Sequence, residues 1–274
     1  MAFAPVECGA GESVLVHRDG SIAMITLNRP ARRNSINYEV AESLHCAITW
    51  FANDETIQAG VMAGDQRAFS SGGDISMFSG FAPGDGARFT LLGHTLLDKL
   101  EASSKPMIAA VNGYCLAGGL EIALACDFIV AGGSAVFGFG EVGLGLIPGW
   151  GGTVRATRAL PVRKARQFIL TSERISADQA RELGIVNECV ADEVVVERAV
   201  DIARNIAAAP PLAVAAALKV IGAAAGHGEA YEWALAAERA HAGKLFESPE
   251  SREQIALWFA QRARSTGGHD AACP

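Results

Sequence analysis

The 274-residue chain has no stretch of about twenty apolar residues free of charge, so no segment of it has the length of a bilayer-spanning helix. Metal-type spacing is missing as well. The six cysteines (Cys8, Cys46, Cys115, Cys126, Cys189, Cys273) are scattered, with no Cys-x-x-Cys pair and no closely spaced histidines to complete a tetrahedral set, so no metal site is expected. Cys115 and Cys126 stand among small apolar residues and read as compact hydrophobes, since a nucleophilic role needs a basic partner that the sequence does not offer. Positive charge is also short. With 23 Lys and Arg against 30 Asp and Glu the net charge is -7, which removes the attraction that nucleic acid or an anionic membrane surface would require. Charged residues make up only 19% and apolar ones 50%, a balance that excludes extensive disorder and allows one sizeable core. The opening MAFAPVECGAGESV lacks a basic start followed by an apolar run, and the expected location is cytoplasmic.

What is present begins with a hairpin: residues 14–28 alternate apolar and polar positions around Asp19-Gly20. Apolar residues at helical spacing follow over 38–51, then a short buried strand at 60–64. The order repeats with a strand at 106–111, a short helix at 120–126, a strand at 127–132 and Ala135-Val136-Phe137-Gly138 after it. Strands alternating with helices point to parallel crossovers and an α/β core, although continuous apolar runs also suit buried helix. Beyond Pro148, alanine-rich periodic stretches at 162–170, 176–183, 192–208, 212–224, 229–246 and 249–264 read as helices. Residues 75–97 mix Met77, Phe78, Phe81, Phe89, Leu91 and Leu92 with a Pro83-Gly84-Asp85-Gly86 break and read as an apolar, mobile pocket wall, His94 within it being a surface or packing residue.

Three glycine-rich segments carry the chemistry. Ser70-Ser71-Gly72-Gly73-Asp74-Ile75 follows a strand, and its adjacent glycines permit either an ordinary turn or a backbone that turns a free N–H towards a ligand. Asn112-Gly113-Tyr114-Cys115-Leu116-Ala117-Gly118-Gly119-Leu120-Glu121 joins a strand to a helix, where unsatisfied N–H groups and the helix dipole favour negative charge. Glu121 stands three residues beyond Gly118, on the same face, and taken alone reads as a capping or dipole partner. Residues 138–143 match G-x-G-x-x-G, but the continuation LIPGWGG is not a helix and no acidic residue follows at a second strand end, so a dinucleotide site is excluded. No Gly-Lys-Ser/Thr follows any of these glycines, which removes a Walker loop. Glu141 is the only acid in an apolar and glycine-only stretch, where desolvation would raise its proton affinity into a catalytic range.

Taken in order, Thr26-Leu27-Asn28-Arg29-Pro30 with Asn34, AFSSGGDI, VNGYCLAGGLEIALACD, FGFGEVGLGLIPGWGGT and ISADQARELGIVNECV resemble the crotonase superfamily, the enoyl-CoA hydratase/isomerase family, over nearly the whole chain. The resemblance implies an α/β fold, a crotonase-like spiral of ββα units with a C-terminal helical region, divided as a core over 1–200 and a helical oligomerisation region over 201–274. It implies a homotrimer or a dimer of trimers, an acyl-CoA thioester as substrate and no cofactor beyond the CoA that the substrate carries. The backbone N–H groups of Gly73 and Gly118 would form an oxyanion hole, and Glu121 and Glu141, twenty residues apart, match the two glutamates that hydratases use. Ser71, Asp74 and Ile75 would meet the CoA portion. Phe259 and Arg262 fall where the family often sets an aromatic and a base against the CoA of a neighbouring subunit.

The sequence departs from the commonest pattern at two places. Ala117 replaces the first of three glycines, a change expected to matter little if Gly118 supplies the amide, and Phe139-Gly140 replaces a Gln-Pro pair, which could loosen the backbone that aims Glu141. Trp150 occupies a position that is usually smaller, where it either narrows the acyl pocket or simply packs. The expected reaction is addition of water to trans-2-enoyl-CoA, a step of fatty-acid β-oxidation, with Glu141 giving a proton to Cα and Glu121 activating water. The alternatives are another crotonase reaction (isomerisation, thioester hydrolysis or decarboxylation) and a non-catalytic acyl-CoA binder.

Overall fold

The computed structural model describes residues 3–226 and 228–265; Cys273 of the cysteine reading and His227 of the Gly226-His227-Gly228 break lie outside them. The chain opens with β1 (Ala4–Pro5) and the expected hairpin, β2 (Val14–Asp19) and β3 (Ile22–Leu27), followed by α1 (Tyr38–Asn53). Asn37 caps α1 by accepting the Val40 N–H at 3.0 Å.

Three turns of strand, strand and helix come next. They are β4 (Ala59–Ala63), β5 (Ala68–Ser70), α2 (Ile75–Phe78) and α3 (Asp85–Glu101); then β6 (Met107–Val111), β7 (Tyr114–Leu116) and α4 (Gly118–Ala125); then β8 (Phe128–Gly132), β9 (Val136–Gly138) and α5 (Gly152–Ala159). The first strand of each turn joins a seven-stranded sheet of order β1-β2-β3-β4-β6-β8-β11, and the second a four-stranded sheet of order β10-β9-β7-β5. Across these three turns β4, β6 and β8 pair in parallel, as do β5, β7 and β9, so the chain winds as the expected spiral of ββα units; the pairs β1–β2, β2–β3 and β9–β10 are antiparallel. After α6 (Val162–Leu170), β10 (Arg174–Ser176), α7 (Ala177–Glu182) and β11 (Glu188–Val190) complete the sheets, and α8 (Val195–Ala207), α9 (Pro211–Ala224), α10 (Glu229–Leu245) and α11 (Pro249–Ser265) follow. The crotonase-type α/β spiral with its C-terminal helices is the observed fold.

The period-two geometry of a strand explains how the large sheet is covered on both faces. Ile25, Met62, Ala109 and Ala131 face the main core with α1, while Met24, Val61, Ile108 and Val130 face Val195, Ala199, Val200 and Ala203 of α8. Each fully buried valine or isoleucine there contributes about 1.5–3 kcal/mol. The expected division near residue 200 falls inside α8, which packs on β4 and β6.

The wall at 75–97 corrects the sequence reading: most of it is helix. Apolar side chains at Phe89, Leu96, Leu97 and Leu100 keep helical spacing, and Gly84, in the left-handed region at φ 89°, starts α3 where a side chain would be strained. Helix α5 and the strands β5, β7, β10 and β11 are also present without having been expected. Among the described residues no single helix is long and apolar enough to cross a membrane, and no cluster of three or more His, Cys, Asp or Glu side chains could hold a metal.

Candidate active site

The glycine-rich loops meet over one cavity of about 1200 Å³. Gly73, Gly118, Glu121 and Glu141 all line it, as do Ser71, Asp74, Ile75 and Trp150. Phe259 and Arg262 also line it, from the same chain: α11 folds back over its own cavity, where the resemblance had these residues serving a neighbouring subunit.

Gly73 follows β5, and Gly118 is the first residue of α4. A methyl group built on Gly118 would stand 3.8 Å from the Gly73 nitrogen and 3.9 Å from Glu121 Oε2, so both amides and one carboxylate share a small volume. Neither the Gly73 nor the Gly118 N–H donates a hydrogen bond among the described residues. Two preorganised, unpaired N–H donors at a cavity wall are what a developing oxyanion needs.

The loop before Gly73 is held from behind. Asn34, buried, accepts the Arg29 N–H at 2.8 Å and donates to Ala68 O at 2.8 Å, while Ser70 Oγ donates to Asn34 O at 2.8 Å. Asp74 lines the cavity, but its carboxylate is committed to Arg29 at 3.3 Å and Ser76 Oγ at 2.5 Å. Burial works to raise its proton affinity, and the bonds from Ser76 and Arg29 prevail, holding it below the usual carboxylate range. The Ser71 N–H is bonded to Arg33 O at 2.9 Å.

Ala117 is strained. It takes φ 51° and ψ -125°, a conformation that L side chains rarely adopt, and its Cβ fits because Gly72 opposite it has none: a methyl there would come within 2.6 Å. The replacement that reads as harmless in sequence is therefore accommodated at a cost in backbone strain.

Glu121 is 2% exposed. Its Oε1 accepts the Trp150 and Gly152 N–H groups, each at 2.7 Å, which turns Oε2 towards Gly118. Glu141 is half-buried as a residue, but its Oε2 is buried and without a hydrogen-bond partner. Burial, reinforced by the nearby Glu141 and Glu238, raises the Glu121 carboxyl well above the usual range, with the Trp150 and Gly152 amides opposing. Burial pushes Glu141 up to about 7 against its own and the Gly140 N–H groups, with Glu238 reinforcing the rise. Phe139, buried, stacks edge-on against Phe168 at 5.5 Å. The backbone approaching Glu141 is anchored by that ring rather than by a proline.

Trp150 both packs and forms the wall. Its indole N–H donates to Phe89 O at 3.2 Å, its ring lies against α3 where a methyl at Gly93 would come within 2.0 Å, and it lines the cavity beside Phe78, Phe89 and Phe246. Arg32, Arg33, Arg67 and Arg174 also line the cavity, none in a salt bridge among the described residues.

Sequence reasoning missed Glu238. It is 5% exposed on α10, accepts the Gly151 N–H at 2.5 Å and the Thr153 N–H at 2.8 Å, takes a further bond from the Thr153 hydroxyl, and lies 3.3 Å from His94 Nε2. A signal was available: Tyr231, Leu235, Glu238 and Ala242 form the buried stripe of α10, and an acid on such a stripe needs partners. His94 is wholly buried, a packing residue rather than a surface one.

A family model described as enoyl-CoA hydratase/isomerase matches residues 17–264. The chain is 34% identical over 251 residues to the short-chain-enoyl-CoA hydratase of Clostridium acetobutylicum, covering 91% of this chain and 95% of that one. To the 2,3-dehydroadipyl-CoA hydratase of Escherichia coli it is 37% identical over 209 residues, 76% of this chain and 81% of that one. The solved structure of an enoyl-CoA hydratase/isomerase from Mycobacterium paratuberculosis superposes with a TM-score of 0.83 at 28% identity, covering 90% of this chain and 98% of that one. With this match over fold, sequence and glycine loops, the chain belongs to the enoyl-CoA hydratase/isomerase family of enzymes.

Proposed function

We propose that the protein is an enoyl-CoA hydratase, adding water across trans-2-enoyl-CoA to give 3-hydroxyacyl-CoA. The observation that carries this reading is the pair of buried carboxyls, Glu121 and Glu141, set at the same cavity as two unpaired glycine amides. An isomerase needs only one acid; addition of water needs a base for the water and an acid for Cα.

The Gly73 and Gly118 N–H groups hold the thioester oxygen and stabilise the enolate that forms as water attacks C3. Each such donor is worth about 3–4 kcal/mol of barrier. Two like carboxyls that interact in a buried space titrate as a coupled pair. Burial raises both; we take Glu121, whose Oε1 accepts two amide bonds at the start of α5, as the partner that ionises, and Glu141, whose Oε2 has no hydrogen-bond partner, as the one that carries the proton. Glu121 accordingly takes the proton of water, and Glu141 delivers its own to Cα. The arginines Arg32, Arg33, Arg67 and Arg174, none in a salt bridge among the described residues, suit the phosphates of CoA, and Ser71, Ile75, Phe259 and Arg262 complete the wall around it. Trp150 and Phe89 close the acyl end and favour short chains. No cofactor is proposed beyond the CoA of the substrate.

Leu212, Val220 and Ile221 on α9 are largely exposed, which supports assembly into a homotrimer or a dimer of trimers. We place the working enzyme in the cytoplasm, in a fatty-acid β-oxidation type of reaction. The test is ultraviolet absorbance of the conjugated enoyl thioester: crotonyl-CoA should bleach and a 3-enoyl-CoA should not gain absorbance. Binding of crotonyl-CoA without bleaching would end the hydratase reading.

A further inference from the structure

We infer that Glu238, on α10, is a positioning residue that aims Glu121 by clamping the opposite side of the segment Trp150-Gly151-Gly152-Thr153. The four successive N–H groups of this segment, which starts α5, alternate between two carboxylates. Trp150 and Gly152 donate to Glu121 at 2.7 Å each; Gly151 and Thr153 donate to Glu238 at 2.5 and 2.8 Å. The first N–H groups of a helix have no partner within it, so these bonds decide where the segment lies.

Because the donors alternate, the two carboxylates cannot move independently. Release of Gly151 and Thr153 from Glu238 would let the peptide planes rotate, and the Trp150 and Gly152 donors would lose their aim at Glu121 Oε1. Glu238 does not line the cavity, so it acts through Glu121 rather than on substrate. The charged and titratable groups around it are His94 from α3, Arg155 from α5, Glu121 from α4 and Glu141 across the cavity. His94 Nε2 lies 3.3 Å from the Glu238 carboxylate and is wholly buried. Arg155 fixes the same segment from a third direction, donating to Trp150 O at 2.6 Å while bonded to Glu101 at 2.7 Å.

The inference rests on the hydration reading only in taking Glu121 as the water-activating group. Its test uses the full-length wild type, Glu238→Gln, Thr153→Val and Thr153→Ser, with crotonyl-CoA kinetics across pH and carbon NMR of glutamate labelled at Cδ. The Glu121 resonance is identified by its loss in Glu121→Gln. Glu238→Gln should lower kcat by roughly 10- to 100-fold, as displacement of a catalytic group does, with KM within about twofold of wild type. The Glu121 resonance and its titration should shift. Thr153→Val, which leaves Glu238 in place should Glu238→Gln fail to fold, should show the same changes in smaller measure, and Thr153→Ser should recover most of that loss. An unmoved Glu121 resonance in Glu238→Gln or Thr153→Val, or a rise in KM with kcat intact, overturns the inference. Absence of hydration by wild type would instead strike the functional reading, and the NMR result would still decide the role of Glu238.

Discussion

Glu121 takes the Trp150 N–H on its Oε1 at 2.7 Å, tying the acid of α4 to the loop that carries the indole at the cavity wall. One residue thus holds the Glu121 carboxylate with its backbone and lines the same cavity with its side chain. The outcomes below follow from that arrangement and its surroundings.

Glu121→Gln and Glu141→Gln should each lower kcat by at least about 100-fold, the usual worth of a positioned acid or base. Binding of a saturated acyl-CoA, measured by calorimetry, should change little, since neither side chain is needed to hold the CoA portion. Near-normal turnover in either variant removes that residue from the mechanism.

Stability should depend on pH through Glu141. Its burial holds the folded-state value at about 7, above the ordinary 4.5, so between these values the folded protein binds more protons than the unfolded chain. The Glu141 contribution therefore falls as pH rises from 4.5 to about 7 and is complete beyond, and Glu121, also raised by burial, adds a loss of the same sign. Glu141→Gln removes the penalty and should gain on wild type as pH rises, reaching on the order of 3 kcal/mol by about pH 8. Urea unfolding at several pH values reads this directly; a constant difference between the two proteins contradicts it.

Ala117→Gly should stabilise the protein. Relief of a non-glycine residue at φ 51°, ψ -125° is worth about 1–3 kcal/mol, and the added freedom of glycine in the unfolded chain subtracts roughly 0.5–1 kcal/mol. A net gain of about 1 kcal/mol in urea unfolding is expected, with kcat kept within about threefold because the Gly118 amide is unchanged. Destabilisation would show that the strain is relieved elsewhere.

Trp150→Leu should lengthen the acyl pocket. The indole fills the space between Phe89 and Gly93, and its removal should raise kcat/KM for an eight-carbon enoyl-CoA relative to crotonyl-CoA by roughly 10-fold or more, the scale of hydrophobic pocket discrimination. An unchanged ratio would make the tryptophan a packing residue alone.

Much of this was legible before the structure because it depends on near neighbours in sequence. Asp19-Gly20 marks the hairpin, the alanine-rich periods mark α6 to α11, and the glycine loops with Glu121 and Glu141 mark the cavity. What stayed hidden depends on distant partners or on context. Helix α3 was obscured by Pro83, Gly84, Gly86 and Gly93, whose glycines serve as a left-handed start and as room for Phe246 and Trp150. Glu238 meets its donors 85 and 87 residues away, so no local pattern names its role. The strain at Ala117 is a backbone property that composition cannot display.

The most direct test of the central claim is the fate of labelled water. Crotonyl-CoA turned over by the wild type in oxygen-18 water should yield 3-hydroxybutyryl-CoA with one heavy oxygen at C3, its thioester intact. Heavy oxygen in a free carboxylate with release of CoA, or product with a moved double bond and no label, would contradict it.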